Sequence, residues 1–270
     1  MDQVLFGFIG TGNMGGALAI AASKGAGPKQ VVLANRTRAK AQALADQLGC
    51  WCGDNVQVAW HAKYIFLGVK PHLMEDMLAK ISPILEERTD PFVLVSMAAG
   101  LSLERLQQMA GADCPILRIM PNTPVAVGEG MIFYARNQRV TDDDLNDFLK
   151  YMAPAGRFDP LEEELLDAGS AVAGCGPAFA SMFLEALGDG AVACGLPRAK
   201  AYSYAAQMLL GTAALALQTG QHPGLMKDAV CSPGGSTIRG VQTLEEHGFR
   251  AAVFDAVCDA CEKNRKLGEN

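Results

Sequence analysis

The run Val4-Leu5-Phe6-Gly7-Phe8-Ile9 followed by Gly10-Thr11-Gly12-Asn13-Met14-Gly15 decides the fold. The apolar run reads as a buried strand, and helix-like sequence, Ala17–Lys24, follows the glycines. Between a strand and a helix, each glycine of a G-x-G-x-x-G turn has its own task. The first permits the tight turn, the second lets a pyrophosphate approach the backbone, and the third lets helix and strand pack closely. Phosphates would then rest on the positive end of the helix. The expected ligand is a dinucleotide.

Outward from this turn, the apolar runs Val31–Ala34, Tyr64–Val69, Phe92–Ser96 and Ile116–Met120 alternate with helical patterns. Those patterns are Ala39–Leu48, Met74–Leu85 and Leu103–Met109. Continuous β-branched runs separated by helices predict parallel strands covered on both faces. Past residue 156 strand signals stop, and Pro177–Cys194, Pro197–Gln218 and Gly248–Leu267 read as helices. The expected architecture is α/β: an N-terminal Rossmann-type doubly wound parallel sheet over 1–156, then an all-α domain over 157–270. Their boundary falls in the turn-rich stretch Pro154–Pro160, after a helix started by Thr141 and Asp142–Asp144.

The choice of dinucleotide is made where the second strand ends. NAD-binding domains usually place an acid there to hold the ribose 2′-hydroxyl. This chain has Asn35-Arg36-Thr37-Arg38 instead. An acid would repel a 2′-phosphate, whereas Arg36, with Asn35 and Thr37 as donors, would hold one. The cofactor expected is NADPH, with NADH used less efficiently. Val69-Lys70-Pro71 closes another strand at the carboxyl edge, where such sheets bind ligands.

Charge narrows the partners. Residues 1–156 carry 14 basic and 15 acidic side chains, net −1; residues 157–270 carry 9 and 14, net −5. Neither half has the dense basic face a nucleic acid requires. The chain enters strand-like sequence at once, without a basic region before an apolar stretch, so no signal peptide is expected. The long apolar segment Ala201–Leu217 contains Ser203, Tyr204, Gln207 and Thr212, and is expected to be a buried helix and not a membrane span. The 8 cysteines suit a reducing cytoplasm as free, mostly buried thiols. Cys50-Trp51-Cys52 and Cys258–Cys261 lack metal-site spacing and nearby histidines, so no metal is expected.

A second glycine turn, Cys231-Ser232-Pro233-Gly234-Gly235-Ser236-Thr237-Ile238, leads into a helical pattern. Ser232 suits an N-cap and Pro233 the first helical position. Gly234 and Gly235 leave first-turn amides uncovered beside two hydroxyls, which is an anion site fit for a carboxylate.

At this point the chain resembles the pyrroline-5-carboxylate reductases over nearly its whole length. The likeness is carried by Phe8–Gly15, Leu67–His72, Ser96–Gly100, Arg118–Pro124, Gly174–Phe179, Gly195–Arg198, His222–Asp228 and, above all, Ser232–Ile238. It implies that Gly10, Thr11, Gly12, Asn13 and Met14 cradle the pyrophosphate. Asn35, Arg36 and Thr37 would meet the ribose phosphate, and Asn55 the adenine end. Val69, Lys70, Met97 and Ala99 would line the cofactor, with Pro121-Asn122-Thr123 near the nicotinamide. Ser232, Gly234, Gly235, Ser236 and Thr237 would hold the substrate carboxylate, and Glu163 falls where relatives place a carboxylate near substrate.

The reaction implied is hydride transfer to the C=N carbon of 1-pyrroline-5-carboxylate, giving L-proline. Thr237 would be the catalytic contact to the ring nitrogen, directly or through water. Relatives interlock the helical domains of two chains, which implies a dimer or a multiple of dimers, with the substrate turn of one chain over the nicotinamide of the other. Two other readings stay open here. A β-hydroxyacid dehydrogenase shares the architecture but needs a base such as Lys200 or Lys227, and a dinucleotide sensor would show no turnover.

Overall fold

The structure is a computed structural model that describes residues 4–111 and 113–268. Eight strands form one sheet: β1 (Val4–Ile9), β2 (Val31–Ala34), β3 (Trp51–Cys52), β4 (Ala62–Leu67), β5 (Val93–Ser96), β6 (Ile116–Met120), β7 (Gly130–Arg136) and β8 (Gly156–Pro160). Their order is β3-β2-β1-β4-β5-β6-β7-β8, parallel from β3 to β6, with β7 antiparallel to β6 and β8 parallel to β7. The chain runs outward one way through β2 and β3, then returns to β4 on the other side of β1. That reversal is the switch point at which doubly wound sheets open a crevice.

Helices α1 (Asn13–Ala26), α2 (Arg38–Leu48), α3 (Asn55–His61), α4 (Met74–Glu87), α5 (Leu103–Ala110) and α6 (Asp142–Met152) lie between strands, and α7 (Leu166–Ala173) follows β8. Strand side chains alternate between two buried layers. Phe6, Phe8, Tyr64 and Phe66 enter the layer that holds Leu18 of α1 and Phe148 of α6. Ile9, Ile65 and Leu67 enter the opposite layer with Leu78, Ile81 and Leu106. Both faces are covered, which is why these strands read as unbroken apolar runs. Phe8 and Phe66 are cross-strand partners whose rings stack at 4.3 Å. Thr141 caps α6 by accepting the Asp144 N–H at 3.1 Å.

Three strands escape the sequence reading. β3 is only two residues long. β7 is half-buried, with Met131, Phe133 and Tyr134 all partly accessible. β8, Gly-Arg-Phe-Asp-Pro, is the terminal strand of the sheet, and its glycine, proline and two charges read as turn. The boundary expected at 156/157 therefore meets a strand of the sheet. The first compact unit continues to Gly174 and takes back the chain from Cys261; the second is Cys175–Ala260.

The second unit consists of α8 (Gly176–Ala193), α9 (Arg198–Thr219), α10 (Pro223–Ala229), α11 (Ser236–Glu246) and the first part of α12 (Phe249–Gly268). α8 and α9 meet where Gly188 leaves room for the Tyr202 ring. Arg198 ties them by donating to Asp189 at 2.5 Å and to the Tyr202 hydroxyl at 2.7 Å. Only Gly188, Ala201 and Ala205 of this unit are buried within one chain. This corrects the expectation of a buried helix at Ala201–Leu217, because Tyr204, Met208, Leu210, Leu215 and Leu217 are all exposed. Among the described residues, one stretch, Glu163–Ala193, is long and apolar enough by composition to cross a membrane. The thiols are free, but only Cys114 is buried; Cys194 and Cys258 are exposed and the rest intermediate. Desolvation pushes Cys114 up to about 11, so it remains a thiol.

Candidate active site

The Gly10–Gly15 turn sits at the carboxyl end of β1, on the switch point. Gly10 has φ +103°, a conformation L side chains rarely adopt, and its N–H reaches Ala34 O on β2 at 2.8 Å. A Cβ at Gly10 would strike the backbone of Gly68, at the end of β4, and one at Gly15 would strike Gly10 O. Both glycines are thus fixed by close backbone packing. At Gly12, by contrast, a Cβ would meet nothing within 4 Å. Gly12 is the N-cap of α1, with no side-chain cap and no acid in the first turn. The first amides of a helix have no intrahelical acceptor, so Asn13 and Met14 offer theirs to the open space. These features fit a bound pyrophosphate. The Thr11 hydroxyl is buried without a partner among the described residues.

Next to this turn, Asn35 Oδ1 accepts the Thr11 N–H at 3.1 Å and its amide donates to Thr37 O at 3.1 Å. Asn35, expected as a phosphate donor, also clamps two backbone segments here. Arg36 is exposed and has no partner among the described residues. Thr37 is the N-cap of α2, and its hydroxyl makes no capping bond. Asn55 opens α3, just after the edge strand β3, beside the Asp54–Gln57 capping box.

Across the switch point, Val69 packs on the second core layer and Lys70 is exposed. Met97 is half-buried and Ala99 exposed, in the loop after β5. Asn122, after β6, is buried. Its oxygen accepts the Met131 N–H at 2.9 Å and its amide donates to Ala173 O at 3.0 Å. Its side chain fastens α7 and β7 to the end of β6. Pro121 is buried and Thr123 exposed beside it.

Glu163 lies in the first unit, where its Oε1 accepts from Arg118 Nη1 at 2.7 Å and from the Leu103 N–H at 2.7 Å. The second oxygen makes no hydrogen bond among the described residues. Gly68, Ser96 and Arg118 lie at or near the carboxyl edge as well, and the sequence reading singled out none of them. Glycine at strand ends is common, and a buried arginine inside an apolar strand gives no periodic signal.

The Ser232–Thr237 turn departs from the expected cap. α11 begins at Ser236, its N-cap is Gly235, and no side chain caps it. Ser232 to Gly235 form a separate turn closed by Gly235 N–H to Ser232 O at 3.0 Å. Gly234, at φ +68°, reverses the backbone there, so Ser232 and Pro233 cannot start the helix. The outcome is a bare helix end with the exposed hydroxyls of Ser236 and Thr237 upon it. Lys227 donates to Asp228 Oδ1 at 2.6 Å, and that contact raises its pKa. Among the described residues, no group of three or more His, Cys, Asp or Glu could hold a metal.

Comparison with known proteins shows the family. A family model for pyrroline-5-carboxylate reductase dimerisation matches residues 163–267. One for NADP oxidoreductases, coenzyme F420-dependent, matches residues 5–100. The chain is 42% identical to pyrroline-5-carboxylate reductase of Escherichia coli (strain K12), over 98% of each chain. It is 37% identical to that of Pisum sativum, over 98% of this chain and 97% of the relative. The crystal structure of Plasmodium falciparum pyrroline carboxylate reductase with NADP bound superposes with a TM-score of 0.87 at 30% identity, covering 99% of both chains. The chain belongs to the pyrroline-5-carboxylate reductase family.

Proposed function

We propose that this chain catalyses NADPH-dependent reduction of 1-pyrroline-5-carboxylate to L-proline, the last step of proline biosynthesis. One observation carries the substrate side: α11 begins bare, behind a glycine turn and under two exposed hydroxyls. Such a helix end binds a carboxylate through its amides, so Ser232, Gly234, Gly235, Ser236 and Thr237 are the residues for that contact. Thr237 would hydrogen-bond the ring nitrogen, directly or through water, its hydroxyl oxygen accepting the N–H of the protonated imine. A protonated imine is already electrophilic, so orientation contributes more here than a strong acid.

NADPH, when bound, supplies the hydride. Gly10, Gly12, Asn13 and Met14 would present backbone to its pyrophosphate, with Thr11 fixed behind them. Arg36 and Thr37 would bind the 2′-phosphate, and Asn55 would lie by the adenine. Val69, Lys70, Met97, Ala99 and Asn122 would border the rest. The likeness to pyrroline-5-carboxylate reductases over 98% of the chain weighs against the β-hydroxyacid dehydrogenase reading. Turnover of NADPH with pyrroline-5-carboxylate, and recovery of proline, tests the function; binding without turnover would leave the sensor reading instead.

The family's dimerisation region makes the protein self-associating, and we infer a dimer or a multiple of dimers. The support is the apolar surface that α8, α9 and α12 leave exposed on one chain. The absence of a basic face supports small molecules over nucleic acid as partners. Burial between two chains, and not in lipid, accounts for the apolar stretch 163–193. Eight free thiols support a cytoplasmic location.

A further inference from the structure

The loop from Met97 to Ser102 leaves β5 at the carboxyl edge, on the β4–β5 side of the switch point. A dinucleotide laid across that point puts one half over β2 and the other over β4 and β5. The 2′-phosphate residues occupy the β2 side, so this loop borders the nicotinamide half. Its ends are held by side chains. At the start, Ser96 Oγ accepts the Ala98 N–H at 3.3 Å. At the far end, Glu163 Oε1 accepts the Leu103 N–H at 2.7 Å. Glu163 is itself gripped by Arg118, which pairs with Ser96 in the β5–β6 register.

Arg118 is an unusual tenant of this strand. It is 5% exposed among otherwise apolar residues, and its Nε is buried without a hydrogen-bond partner among the described residues. Replacing a buried ion pair with apolar residues is often neutral or stabilising. Stability alone therefore gives weak grounds for placing a charge there. What the pair supplies is position, because a single carboxylate oxygen joins β6 to the start of α5.

We propose that Arg118 and Glu163 are positioning residues for the reductase reaction, fixing the Met97–Ser102 loop against the nicotinamide half of the cofactor. The inference rests on the reductase reading above. It removes Glu163 from the substrate contacts and gives it a role one layer behind the cofactor.

Glu163→Gln keeps an acceptor for the Leu103 N–H but loses the ion pair. It is expected to lower kcat roughly tenfold to a hundredfold, the scale of a misplacement near 1 Å. KM for NADPH should change less than about threefold, because the phosphate contacts lie on β1 and β2. Using NADPH deuterated at the transferred position, the isotope effect on kcat should rise above that of wild type as hydride transfer becomes slower. A purely structural role would lower melting temperature without moving that isotope effect.

Arg118→Met leaves Glu163 without its cation and can fail to fold. The double variant Arg118→Met/Glu163→Met removes both charges, and it should fold while keeping the low kcat and the raised isotope effect. An unchanged kcat and isotope effect in Glu163→Gln, or wild-type kinetics in the folded double variant, overturns the proposal. Wild-type protein that does not reduce pyrroline-5-carboxylate would instead overturn the reductase reading.

Discussion

Asn35 Oδ1 holds the Thr11 N–H at 3.1 Å, so the side chain that ends β2 fixes the glycine turn that ends β1. The same amide group donates to Thr37 O, which closes the bend around Arg36. Arg36 is left as the exposed cation at the place where an acid would select NADH. A charge-assisted phosphate contact contributes about 1.5–3 kcal/mol. Arg36→Ala should therefore raise KM for NADPH roughly tenfold to a hundredfold and leave NADH kinetics nearly unchanged. Equal loss with both cofactors would show that Arg36 supports the turn and does not read the phosphate.

The glycines of the turn should separate binding from folding. Gly12→Ala puts its Cβ into open space, so melting temperature should stay near wild type while NADPH affinity drops at least about tenfold. Gly15→Ala drives its Cβ into Gly10 O, an overpacking that costs about 1–3 kcal/mol. Thermal unfolding and NADPH titration of both variants check the pair. Full NADPH affinity in Gly12→Ala would move the pyrophosphate away from α1.

Much of this was legible because local chemistry and tertiary role coincide. Phe6 and Phe8 are apolar and the strand is buried on both faces; Gly10–Gly15 has one good reading after a strand. The rest depends on partners distant in sequence. β8 is a strand because β7 aligns it, and nothing in Gly156–Pro160 says so alone. Ser232-Pro233 has the composition of a helix start, yet the positive φ of Gly234 delays α11 to Ser236. Arg118 and Glu163 are 45 residues apart, and only the folded β6 brings them to 2.7 Å. The exposure of α9 reflects a further limit: its apolar face suits a second chain, and a sequence cannot distinguish that from an intramolecular core.

Thr237→Val removes the hydroxyl and keeps the shape. If that hydroxyl bonds the ring nitrogen in the transition state, kcat should fall about ten- to a thousandfold. NADPH affinity should hold, since Thr237 belongs to a different unit from the Gly10–Gly15 turn. Steady-state kinetics beside direct NADPH titration check this. An unchanged kcat would reduce Thr237 to a fixture of the helix end.

Acid should weaken the join between β4 and α6. Burial raises the Asp144 pKa, but the Thr141 hydroxyl at 2.7 Å and Lys63 at 2.9 Å outweigh it, and the net shift is downward. A carboxyl lowered in the folded state stabilises above its unfolded pKa, about 3.9, and the contribution fades as pH falls through the lower folded value. Denaturant unfolding should therefore show stability declining below about pH 4. Asp144→Asn should be less stable at neutral pH and show a shallower acid decline. Parallel pH profiles for the two proteins would mean that the pair contributes nothing.

The apolar face of α9 gives the test of assembly. Tyr204, Met208 and Leu215 are exposed in one chain, and their spacings of four and seven residues put them on one side of the helix. Met182 on α8 and Phe254 on α12 add to the exposed apolar surface of the same unit. Such surface on one chain marks an interface, and the family's dimerisation region spans it. A charge placed there would face desolvation in the assembly and little cost in the free chain, where Met208 already meets solvent. Met208→Glu should therefore keep wild-type helical content by circular dichroism but sediment as a smaller species at micromolar concentration. Met208→Leu, which keeps the face apolar, should sediment like wild type. If Met208→Glu keeps the wild-type assembly state, the α9 face lies outside the interface, and the contact must be sought on α8 or α12.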